Sequence, residues 1–166
     1  MPEIKIKDNF EYYLMDDGNI RIQRYLGNES HVTVPDEFDD HPVTQIGMAA
    51  FKNNSDLQSV TLPKKLTYLG ICAFLFCNNL LRADLPETLK CIATGAFSTC
   101  DQLEELVIPK STDQFGPGRV FPENTHFKLI VSPGSPAESR ALSKHFCIIG
   151  KHGQLNVMKR MKPEEH

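Results

Sequence analysis

Tryptophan is missing from this 166-residue chain, and aromatic residues make up only 8% of it. Flat ring platforms for stacking sugars or bases are therefore in short supply. No apolar run approaches the roughly 20 residues that cross a bilayer, and no terminal lipidation box is present. Membrane insertion is not expected. Positive charge is scarce too: 18 Lys and Arg stand against 21 Asp and Glu, a net charge of -3. Without a positive field to displace counterions from a phosphate backbone, nucleic acid is not an expected partner.

The opening MPEIKIKDNF lacks the basic stretch, apolar run and small-residue cleavage site of a secretory signal. Five cysteines, an odd number with no CxxC pair, cannot close a complete intramolecular disulfide framework, and a reducing compartment is the simpler expectation. The expected location is cytoplasmic. The alternative is a secreted or cell-surface protein seen in processed form. Motifs of catalysis are missing as well. The six histidines show no HxxxH or HExxH spacing that would bring two imidazoles to one metal. Gly116-Pro117-Gly118 fails as GxGxxG because Phe121 stands at the third glycine, and Gly134-Ser135 fails as GxSxG. The chain is expected to be no enzyme and to hold no metal or cofactor.

What is present is ordinary globular material, 40% hydrophobic and 23% charged, in a length that suits one domain. Its distinguishing feature is a repeat. Phe51, Phe74 and Phe97 are 23 residues apart, as are Ala50, Ala73 and Ala96, Leu57, Leu80 and Leu103, and Pro63, Pro86 and Pro109. Each unit reads I-G-x-x-A-F, a polar turn, then L-x-x-V-x-L-P. A unit of this size has an apolar side that it can bury only against the next unit, which implies a stacked solenoid. In the L-x-x-V-x-L part, Val60 and Leu62 alternate with Ser59 and Thr61, so short strands with an inner and an outer row should stack into a parallel sheet. Proline, which lacks a ladder donor, ends each strand.

A fourth unit carries one inserted residue, with Phe115, Gly116, Phe121, Phe127, Ile130 and Pro133 in the repeat roles, and Val32, Val34 and Pro35 end an earlier partial unit. Before Ile46 that unit has about five extra residues, around Asp39 to Pro42.

The motif I-G-x-x-A-F-x-x-C-x-x-L-x-x-V-x-L-P, seen as Leu69 to Pro86 and Ile92 to Pro109, resembles the BspA-like leucine-rich repeats of bacteria. The resemblance spans roughly residues 10 to 150. It implies a leucine-rich-repeat solenoid, α/β to mainly β, with protein or matrix binding, often at a bacterial surface, and it brings no catalytic residues.

The ends of such an array need covers. Phe10, Tyr12 and Leu14 alternate before Asp17-Gly18, and Ile20 and Ile22 after it, which predicts an N-terminal β-hairpin over residues 10–25. Ser135, Pro136 and Glu138 spell a capping box and helix start. The helix should end near His145 with Ala137, Ala141 and Leu142 inward, followed by a strand over Phe146 to Ile149. The expected single domain runs over 1–166. It comprises a hairpin cap and partial repeat at 10–34, repeats at 35–133, a helix-strand cap at 134–150 and a mobile tail at 151–166.

Columns of the repeat act as controls for one another. Leu75 replaces Lys52 and Ser98, Phe76 replaces Asn53 and Thr99, and Leu81 replaces Gln58 and Glu104. If these columns face water, the second unit carries an exposed apolar patch suited to a protein partner or a second copy of the chain. The competing expectation is local repacking around the small Ala83. The outward strand rows, Ser59 and Thr61, Arg82 and Asp84, Glu105 and Val107, then Leu129 and Val131, offer a second binding face. Cys77 and Cys100 share a column, so a disulfide is conceivable, with a pair of buried thiols as the plainer expectation.

Overall fold

A computed structural model describes residues 1–124, 126–143, 148–150 and 155–156. The expected ends of the C-terminal helix and the start of the strand after it, at residues 144–147, and most of the expected mobile tail, lie outside the described residues.

The chain winds as a solenoid with strands on two sides of a ring-lined core. It opens with β1 (Lys5–Lys7), β2 (Phe10–Leu14) and β3 (Ile20–Tyr25), followed by β4 (His31–Thr33), β5 (Glu37–Phe38) and β6 (His41–Ile46). Each repeat then supplies one strand per side: β7 (Ser59–Thr61) and β8 (Tyr68–Leu69), β9 (Arg82–Asp84) and β10 (Cys91–Ile92), β11 (Glu105–Val107) and β12 (Gln114–Phe115). The array closes with β13 (Lys128–Val131), α1 (Pro136–Ser143), β14 (Ile148–Gly150) and β15 (Leu155–Asn156).

One side is a sheet in the order β1-β2-β3-β6-β8-β10-β12, parallel from β3 onward. The other side is β4-β7-β9 and then β11-β13-β14-β15. Between β9 and β11 the regular ladder pauses, but the Glu104 amide still donates to the Leu81 carbonyl at 3.4 Å. Register is fixed by the inner row: Val32 pairs with Val60, Val60 with Ala83, and Leu106 with Leu129, all buried. A one-residue slip would turn that row to water.

The rings form the spine of the core. Phe51 and Phe74 stack at 5.0 Å between centroids and Phe74 and Phe97 at 5.1 Å, each fully enclosed, and Tyr25 extends the pile at 5.4 Å from Phe51. Close approach of the coils depends on the Gly47, Gly70, Ala93, Gly116 column. A Cβ on Gly70 would sit 2.6 Å from the Gly47 backbone, and one on Gly116 would sit 2.1 Å from the Thr94 nitrogen.

The turn after each glycine needs a left-handed residue two positions on. Ala49, Cys72, Gly95 and Gly118 all fill that place with φ between 52° and 75°. Gly118 of the Gly116-Pro117-Gly118 run is therefore a turn residue of the repeat.

Both covers are present. β2 and β3 make the expected hairpin, turning at Gly18, and β3 passes directly into the parallel sheet beside β6. At the other end the Ser135 hydroxyl accepts from the Glu138 amide at 3.2 Å, while the Glu138 carboxylate accepts from the Gly134 amide at 2.7 Å. This satisfies donors at the helix start. Ala137 and Ala141 are buried as expected, while the side chain of Leu142 is outside the described set.

Three details depart from the sequence reading. β1 extends the hairpin to a third strand through Asp8-Asn9, both left-handed. The extra residues before Ile46 form a tight hairpin, β5 with β6, around left-handed Asp39 and Asp40. Finally, Leu129, not Ile130, pairs with Leu106, and Leu129 and Val131 are buried rather than outward. The inserted residue is absorbed before β13, so the strand returns to a spacing of 23, and the outer positions belong to Lys128 and half-buried Ile130.

Candidate functional site

Two surfaces carry the residues singled out from the sequence. The first is the turn that follows β8. Its backbone is held from within by Ala73 donating to Gly70 and Leu75 donating to Cys72, and from the neighbouring coil by Phe74 donating to Ala96. Phe74 and Cys77 point to the core with no exposure. Leu75 is half-buried, and Phe76 is left 47% exposed at φ 61°. Leu81, ahead of β9, is 41% exposed. Neither Phe76 nor Leu81 is drawn inward by the space beside Ala83.

A bulky side chain in the left-handed region is rare, because Cβ crowds the following carbonyl at a cost of roughly 1–2 kcal/mol. Asn53, one coil earlier, holds the same conformation at φ 63° with a residue type that tolerates it. Phe76 is thus costly twice over, in backbone strain and in exposed ring area.

Sequence comparison missed part of this apolar area. Met48 and Ile71 share a column, are both exposed, and lie on adjacent coils joined by the bond from the Ala49 amide to the Ile71 carbonyl at 2.9 Å. The signal is present in the sequence, since their column continues as Thr94 and Pro117, but it spans two units and so does not stand out as a single odd member.

The second surface is the outer row of β4, β7, β9, β11 and β13. Arg82 and Asp84 project from the same side of β9 and bridge each other at 2.9 Å, both largely in water. Such an exposed pair contributes little to stability. Glu105 stands in register between Arg82's strand and Lys128, and Val107 is 42% exposed beside Ile130. On the first coils the row is neutral and polar: the His31 ring nitrogen lies 2.7 Å from the Ser59 hydroxyl, with Thr33 and Thr61 alongside.

Among the described residues no group of three or more His, Cys, Asp or Glu side chains is placed to hold a metal ion. Cys72, Cys77, Cys91 and Cys100 are separate thiols. Cys77 and Cys100 are enclosed, and each donates to a phenylalanine carbonyl of the preceding coil, Phe51 at 3.0 Å and Phe74 at 3.4 Å. Burial pushes the Cys77 thiol up to about 12 and the Cys100 thiol up as well, the reverse of an activated nucleophile. Also among the described residues, no helix is long and apolar enough to cross a membrane.

A family model described as the BspA type leucine rich repeat region matches residues 28–137 in six copies. No curated protein matches the chain. Among solved structures, a leucine-rich repeat protein from Bacteroides capillosus is 27% identical over 76% of this chain and 97% of its own, with a TM-score of 0.68. The T. pallidum leucine rich repeat protein is 27% identical, covering 77% of this chain and 71% of its own, with a TM-score of 0.63. The pneumococcal vaccine antigen PcpA shares the fold at a TM-score of 0.67, at 22% identity over 78% of this chain and 31% of its own.

Proposed function

The chain belongs to the BspA-type leucine-rich repeat family, and on that premise we propose that it is a non-enzymatic protein-binding domain whose contact is centred on Phe76. The patch of Leu75, Phe76 and Leu81 is the primary surface, with Arg82, Asp84, Glu105 and Val107 of the sheet face as its flank. The observation that carries this reading is the exposed Phe76 ring on a left-handed backbone, where a small or polar residue would be the cheaper choice. Aromatic residues held at the centre of a patch are the usual anchors of protein interfaces.

The partner in this reading is a second copy of the chain. The apolar patch itself carries no charge, so two copies can meet there without like-charge repulsion. Sedimentation velocity of wild type and Phe76→Asp, with circular dichroism to verify the fold, tests it. Concentration-dependent association that Phe76→Asp abolishes supports the reading, whereas a wild type that stays monomeric, or a variant that associates equally, overturns it.

Among the described residues, the separate thiols of Cys72, Cys77, Cys91 and Cys100 support a cytoplasmic location for this domain. The runner-up reading is a secreted or cell-surface adhesion module that binds host or matrix protein or glycan. Fractionation of the source cell separates the two.

A further inference from the structure

The repeat shows how Phe76 is held. In the preceding coil, left-handed Asn53 donates its amide to the Leu75 carbonyl, the backbone of the next coil, at 2.9 Å. By the same rule Phe76 would donate to the carbonyl of Ser98. It does not: its amide instead donates to the Thr99 side-chain hydroxyl at 2.8 Å. The change has a local cause. Asn53 and Phe76 are left-handed, but Thr99, next in that column, is absent from the left-handed residues of the described chain, as expected of a β-branched side chain. The turn at Thr99 therefore follows another path from those at Asn53 and Phe76, and the hydroxyl takes the place of the missing carbonyl.

We infer that Thr99 is a positioning residue that presets the Phe76 backbone, and with it the ring, for partner contact. A ring fixed before encounter loses less conformational freedom on binding, so an exposed anchor benefits from a rigid mount. The inference rests on Phe76 being a contact residue. Leu75 and Cys77 on either side are held by backbone bonds, but the Phe76 amide itself bonds one side chain of the next coil, and Thr99 makes that bond without belonging to the apolar patch.

The test compares wild type, Thr99→Val and Thr99→Ser, with Phe76→Asp as the contact control. Valine keeps the shape and removes the acceptor; serine keeps the acceptor. Amide hydrogen exchange at Phe76 is read together with self-association by sedimentation velocity. With the one bond of its amide lost, Thr99→Val should speed exchange at Phe76 by roughly tenfold and weaken self-association by a similar factor, while amides of Phe74 and Ala96 keep their protection. Thr99→Ser should restore both quantities to near wild type. If the Phe76 amide exchanges freely in wild type, or if Thr99→Val leaves exchange and association unchanged, the inference fails. If Phe76→Asp abolishes association but Thr99→Val does not weaken it, the contact reading stands and the positioning role alone is lost. If Phe76→Asp associates as wild type does, the contact reading fails first.

Discussion

The Cys77 thiol lies 3.0 Å from the carbonyl oxygen of Phe51 in the coil before it, and the Asn54 side-chain amide reaches that same oxygen at 3.0 Å from within its own coil. A thiol in one coil and an amide in another thus serve one carbonyl, adding to the 3.3 Å turn bond that it accepts from the Asn54 backbone amide. Because the thiol is enclosed, iodoacetamide at pH 8 should modify the half-buried Cys72 and Cys91, the latter more slowly because burial raises its thiol, but Cys77 and Cys100 only after denaturation. Peptide mapping by mass spectrometry reads the sites. Rapid native labelling of Cys77 would contradict the packing.

The same burial makes the fold sensitive to alkali. The Cys77 thiol is raised from 9.0 to about 12 in the folded chain. Its contribution to stability is fully present below the unfolded value near 9.0. It is lost as pH rises from there towards about 12, because only the unfolded chain gains by ionising. Urea midpoints measured at successive pH values should fall across this window, and Cys77→Ala should flatten part of the decline.

Removal of a ring from the spine should be expensive. Phe74 is stacked on both faces, by Phe51 and Phe97, with no exposure, so Phe74→Ala should cost about 3–5 kcal/mol in equilibrium unfolding. A loss below about 1 kcal/mol would mean that the coils do not rely on one another there.

Glycine-to-alanine exchange commonly stabilises a protein slightly through the unfolded chain. Gly70 should do the opposite. Its φ is not left-handed, but the added methyl would meet the Gly47 backbone at 2.6 Å, and Gly70→Ala should lower stability by about 1–3 kcal/mol through overpacking. Thermal unfolding provides the measurement. A rise in Tm would show that the two coils separate at little cost.

Asp39 fastens the first strand to the hairpin of the insertion. Its carboxylate accepts from Lys5 at 3.0 Å and from Tyr12 at 3.1 Å, and these bonds hold its pKa below the usual 3.8. A depressed carboxyl stabilises above its unfolded pKa and ceases to do so as pH falls through the folded one. Protection of the β1 amides, taken relative to their intrinsic exchange at each pH, should therefore fall below about pH 4. Asp39→Asn, which tolerates the left-handed φ of 51°, should show the lowered protection already at neutral pH, with no further fall in acid.

The sequence reveals the stacking order because burial repeats every turn: Phe51, Phe74 and Phe97 share one environment, and so do Val60, Ala83 and Leu106. The phase of the last strand was less legible. Lys128–Val131 reads K-L-I-V, an apolar run in which period two offers no phase, so counting from Phe127 placed Ile130 inward where Leu129 belongs. Strand β1 was missed because Ile4 and Ile6 remain exposed, leaving the Asp8-Asn9 turn as its sole mark. On the candidate surface, the column comparison reached Leu75, Phe76 and Leu81. The left-handed backbone at Phe76 and its bond to Thr99 were beyond it, since both arise from the path of the neighbouring coil.

Since each coil leans only on its neighbours, the ring pile sets how the molecule responds to load. Pulled from its ends, such a chain should surrender whole coils in succession, each release paying out 23 residues, or roughly 80 Å of slack. The caps then act as end stops, and the first of them to give way decides from which direction the unwinding runs.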